Sequence, residues 1–98
     1  MSDFAIEQST PGRVAARGSL DFDTAADALR RGLALMNSAR DVEFDLTQVT
    51  SGDSAGLAVL IEWLAQARAR GVRLHYVGVP AQILAVARIS DIEELLTT

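Results

Sequence analysis

The sequence predicts an α/β domain, with a mixed, mostly parallel sheet of about four strands and helices packed against it. Three observations predict this. Short apolar segments of period two alternate with segments whose apolar residues return every three or four positions. Turn-forming residues punctuate them. The resulting order, β-β-α-β-α-β-α with a short tail, joins the later strands through helices, which the right-handed crossover rule makes parallel. The 98 residues are expected to form one domain over 1–98, a size that buries roughly two thirds of the surface its unfolded chain exposes.

Phe4 to Ser9 and Arg13 to Ser19 are the first strands, and Thr10-Pro11-Gly12 between them is hairpin chemistry. Leu20-Asp21-Phe22-Asp23 then offers acids for a helix N-cap, and Phe22, Ala26, Leu29, Leu33 and Met36 recur at helical spacing as far as Asn37. Val42, Phe44 and Leu46 alternate with Glu43 and Asp45, the pattern of a strand with one face on a core; Thr47 to Gly52 breaks it and reads as a polar loop.

Asp53 and Ser54 open the long second helix, and either side chain can accept an orphaned N–H of its first turn. Leu57, Leu60, Ile61, Leu64 and the stem of Arg68 fall on one stripe expected to face the sheet, and Gly71 closes the helix as a C′ glycine. Val72 to Val77 is apolar enough for a strand buried on both faces, ended by Gly78. Pro80 suits the first turn of a third helix carrying Ile83, Leu84, Ala87 and Arg88, and Ser90-Asp91 starts a last helical turn through Leu96.

Composition narrows the function. The net charge is −4 and the nine basic residues, all arginine, are dispersed, whereas a non-specific nucleic-acid binder needs clustered cations. Without cysteine there is no disulfide, thiolate nucleophile or cysteine-ligated zinc site. Met1-Ser2-Asp3-Phe4 lacks the basic start and apolar core of a secretory signal, and no apolar run is long enough to span a bilayer. A cytoplasmic protein is expected, meeting the inner membrane only through a partner.

Neither a Walker A sequence nor a G-x-G-x-x-G after a strand is present, which argues against a self-standing nucleotide hydrolase. His75 is the sole histidine; mid-strand, it reads as a partly buried sheet residue and not as the base a Ser54 nucleophile would need. Ser54 itself carries two readings: a structural cap, or a hydroxyl at a helix N-terminus where an added phosphate would meet unpaired N–H groups. Trp63 also carries two. It lies about 110° from the centre of the apolar stripe, either against a neighbouring helix or on a partner-binding face.

Asp45-Leu46, Val49 and the run Asp53-Ser54-Ala55-Gly56-Leu57 resemble the signature of STAS domains, bacterial modules related to anti-anti-sigma factors of the SpoIIAA kind. The continuation LAVLIEWLAQARARGVRLHYVGVPAQILAVARISDIEELL resembles the MlaB branch, the STAS subunit of the Mla phospholipid-transport complex. The resemblance covers nearly the whole chain and is strongest from Val42 to Leu96. It implies a non-enzymatic subunit, without cofactor or metal, that supports the MlaF-like ATPase of an ABC-type transporter maintaining outer-membrane lipid asymmetry. It also implies that Asp53, Ser54, Ala55, Gly56 and Leu57 form the contact loop, with Trp63 as a further candidate. In SpoIIAA-type proteins the serine before the loop glycine is phosphorylated. Here that position is Ala55, which leaves Ser54 as the candidate phosphorylation site and weakens the alternative of an anti-anti-sigma switch that binds a kinase or anti-sigma factor.

Overall fold

In a computed structural model, residues 3–36 and 40–97 are described, and the predicted end of the first helix at Asn37 lies outside them. The elements are β1 (Phe4–Thr10), β2 (Arg13–Leu20), α1 (Ala25–Leu35), β3 (Asp41–Gly52), α2 (Ser54–Ala69), β4 (Arg73–Val77), α3 (Ala81–Ile89) and α4 (Glu94–Thr97). The strands form one sheet in the order β1-β2-β3-β4. β1 and β2 are an antiparallel hairpin turning at Gly12, whose φ of 81° is the left-handed region, while β2–β3 and β3–β4 are parallel.

One face of the sheet carries the core. Ile6, Val14, Ala16, Val42, Phe44, Leu46, Val49 and Leu74 are buried beneath the helices. The alternate residues of the same strands face outward, and there Arg13 bonds Glu43 through Nε at 2.6 Å, while Arg17 approaches Glu7 at 3.4 Å. β4 is therefore not buried on both faces as its sequence suggests. It is an edge strand, with Leu74 buried inward and Arg73, His75 and Val77 exposed.

β3 is twice as long as its alternation indicates, because it is bulged. Ala15 pairs with Asp45 but Arg17 with Gln48, and Gly18 pairs with Val49 but Ser19 with Ser51, so each step leaves one extra residue on β3. The first extra residue lets Leu46 and Val49, three apart, both point into the core. Asp45 fastens this bulge, accepting the Thr47 hydroxyl at 2.6 Å and its N–H at 2.9 Å; those bonds hold the Asp45 carboxyl below the usual carboxylate range.

α2 is the central helix, touching α1, α3, α4, β3 and β4. Its buried residues are Gly56, Leu57, Val59, Leu60, Trp63 and Ala67, so the buried face is rotated from the expected stripe toward α1, and Ile61 and Leu64 are only half-buried. The C-terminal stop is as expected. Gly71 (φ 71°) donates to Arg68 O at 3.2 Å and Val72 to Ala67 O at 2.8 Å, a Schellman pair. Pro80 sits one residue earlier than expected, as the N-cap of α3.

Candidate functional site

The sheet's C-terminal edge ends where β3 runs into α2, and one side chain organises that junction. Asp53 is the N-cap: its Oδ1 accepts the N–H groups of Ala55 at 2.9 Å and Gly56 at 3.1 Å, and its backbone carbonyl accepts Leu57 N–H at 3.0 Å. Its second oxygen, Oδ2, reaches the N–H of Phe22 in the β2–α1 loop at 3.2 Å. Ser54 is left at the first helical position, exposed. Of the two capping candidates, then, Asp53 has the role. A phosphate on Ser54 would find the N–H groups of residues 55 to 57 already occupied and the Asp53 carboxylate next to it.

Gly56 brings α2 onto the end of β2, since a Cβ there would overlap the carbonyl of Leu20. Gly56 and Leu57 are consequently buried, leaving Ser54, half-buried Ala55 and exposed Ala58 as the accessible start of the helix.

Beside that start lies an apolar groove of about 530 Å³ between α1 and α2, lined by Phe22, Ala25, Ala26 and Leu29 on one bank and by Ala55, Ala58, Val59 and Glu62 on the other. Phe22 is 82% exposed. The sequence pattern assigns it to the core face of the first helix, but α1 starts three residues later, behind a turn fixed by Asp21 and Thr24. Asp21 Oδ1 accepts Asp23 N–H at 3.0 Å, and the Thr24 hydroxyl accepts Asp21 N–H at 3.0 Å while donating to Ser19 O at 2.9 Å. Of the acids expected to cap α1, Asp21 shapes this turn instead, and Thr24 is the N-cap without a side-chain cap bond. An exposed phenyl ring beside an apolar groove is the arrangement of a binding surface, which makes Phe22 the residue that pattern reading missed.

The family described as "Mlab, STAS domain" matches this chain over residues 5–97. The chain belongs to the STAS domain family. Its fold agrees with solved structures at low identity. The anti-sigma factor antagonist SpoIIAA in its unphosphorylated form is 15% identical over 97% of this chain and 86% of that one, with a TM-score of 0.73. The phosphorylated form of the Bacillus cell fate determinant SpoIIAA is 15% identical over 97% of this chain and 89% of that one, with a TM-score of 0.70. A sulfate transporter family protein of Wolinella succinogenes is 21% identical over 86% of this chain and 69% of its own, with a TM-score of 0.66. No curated protein matches in sequence.

Within this STAS domain Trp63 occupies the interhelical one of its two positions and is corrected as a contact residue. It has 0% exposure, so no partner can touch it. Its indole fills the space above Gly32, where a Cβ would overlap the ring, donates through Nε1 to Leu29 O at 3.2 Å, and meets Phe44 edge-on at 5.0 Å between centroids. His75 is also displaced from expectation: it is exposed on the outer face of β4, opposite Glu43, and not partly buried. Ser54 lies at the helical side of the sheet end, so the two do not form a nucleophile–base pair. Among the described residues no cluster of His, Asp and Glu could hold a metal ion, and no helix is long and apolar enough to cross a membrane.

Proposed function

We propose that this STAS domain is a non-enzymatic docking subunit for the ATPase of an ABC-type phospholipid transporter that maintains outer-membrane lipid asymmetry. In this reading it works in the cytoplasm and is held at the inner membrane through that ATPase. The observation that carries the reading is the match to the MlaB-type STAS family combined with an uncovered apolar groove at the start of α2. The contact surface is Ser54, Ala55 and Ala58 on α2 with Phe22 across the groove; Asp53, Gly56 and Leu57 hold it from within. Asp23 is exposed nearby and Glu62 closes one end of the groove, so an apolar segment flanked by a cation is the complementary partner surface.

Capture of the tagged chain from its native cell, followed by identification of what co-elutes, tests this directly. An ABC-type ATPase is expected. Phe22→Ser and Ser54→Glu should each abolish its recovery and leave the outer membrane detergent-sensitive, while the purified domain stays folded, because a glutamate is tolerated at a helix N-terminus but not in an apolar contact. Recovery of a kinase or anti-sigma factor instead would select the signalling reading. Ala55 speaks against that reading, since its methyl group lines the groove and cannot accept phosphate.

A further inference from the structure

The β2–α1 loop is a short turn between buried Leu20 and buried Thr24. Asp21 and Thr24 bond one another and their own turn, and Phe22 at its tip projects into solvent without a core contact to fix it. A side-chain bond ties this tip to α2, from Phe22 N–H to Asp53 Oδ2 at 3.2 Å. The same carboxylate caps α2 through Oδ1. We propose that Asp53 is the positioning residue of the docking surface: one carboxylate fastens both banks of the groove and presets Phe22 on its rim.

The inference rests on the groove being the docking surface, and it explains why an aspartate suits this position beyond capping. Serine, threonine and asparagine all cap helices, asparagine about as well as aspartate. Only a carboxylate of this length places two acceptors at once, one on each bank. Asparagine keeps one oxygen for the cap and would turn its NH2 toward the Phe22 N–H, donor against donor. A loop held in its bound pose binds without the ordering cost that a loose one meets, so this one bond acts on affinity without touching the partner.

Asp53→Asn and Asp53→Ser separate the two bonds, since both keep a capping oxygen and lose the link to Phe22. Amide hydrogen exchange and thermal melting of the purified chain form the first arm, which needs no partner. Exchange at Phe22 is expected to rise about tenfold or more, with exchange in the middle of α2 and the melting midpoint nearly unchanged. The second arm measures affinity for the ATPase subunit co-purified with the wild-type chain. Affinity should fall roughly five- to tenfold, and Phe22→Ser should weaken binding far less in the Asp53→Asn background than alone, the non-additivity of two residues acting through one contact. Unchanged Phe22 exchange in both variants overturns the link itself. Faster exchange with unchanged affinity overturns the positioning role, and if Phe22→Ser also leaves affinity intact, the groove is not the docking surface.

Discussion

The seam between α1 and α2 has two ends built from the same kinds of residue and finished in opposite ways. Both helices run in the same direction: Ala25 and Ala26 share the groove with Ala55 and Ala58, Leu29 O meets Trp63, and Arg70 reaches Leu33 O at 3.2 Å. Farther along, a large ring enters the gap left by a glycine, and Trp63 is fully buried there. At the near end alanine faces alanine, and nothing from the described chain fills the space between. Small residues on both banks without a knob between them leave apolar area in water, which is what a partner can cover; the buried Trp63 ring itself has no such area to offer.

Changing the Trp63 end should have the largest consequences for the isolated domain. Trp63→Ala removes the knob and should cost about 3–5 kcal/mol, read from denaturant or thermal unfolding. A loss near zero would mean that the two ends do not differ in the way described. Gly32→Ala overfills the same spot and should cost about 1–3 kcal/mol, with Trp63 fluorescence shifting as the indole is pushed aside.

Tyr76 sharpens the contrast through pH. Its hydroxyl donates to Leu60 O at 2.6 Å beneath α2, and burial raises its pKa well above the ordinary phenol value. Because the folded value exceeds the unfolded one, about 10, its contribution is full below that pH and is lost as pH rises through the folded value. Phenolate absorbance should therefore appear only together with loss of the helical circular dichroism signal. Tyr76→Phe should cost about 1 kcal/mol at neutral pH and flatten this alkaline loss.

The open end should be almost silent in the same assays. Ser54→Ala and Phe22→Ser are each expected to change stability by less than about 0.5 kcal/mol, since the cap belongs to Asp53 and the phenyl ring is in solvent. A cost of about 1 kcal/mol or more for Ser54→Ala would return the hydroxyl to a structural role.

The order of elements along the chain, the hairpin and the Gly71 stop were legible because each depends on local chemistry, and the parallel pairing because helices join those strands. What escaped depends on neighbours. Alternation fails after Leu46 because bulges insert residues into β3, and from sequence a bulge cannot be told from the strand's end. The apolar residues of α2 run most of the way round because it is enclosed by the sheet and by helices, so a wheel drawn for one buried stripe sets the wrong phase and puts Trp63 on an outer flank. Phe22 joins a helical series with Ala26 and Leu29 by spacing alone; the Asp21–Thr24 turn delays α1 and takes it out of that series. The start of α2 at Asp53 and Ser54 was visible in the sequence, although the polar stretch before it, Thr47 to Gly52, is strand and not loop; the apolar neighbour across the groove was not visible, since the two come from segments about thirty residues apart.

The aromatic cluster has an optical consequence. The chain has one tryptophan and one tyrosine, and their rings lie 6.5 Å apart in the core. At that separation the excited phenol hands its energy to the indole, so the folded domain emits as a tryptophan protein alone. Tyrosine emission returns when the two rings part. The native sequence thus carries its own two-colour gauge of core integrity, placed away from Phe22 and Ser54, and with it a docking defect can be told from a folding defect without adding a label.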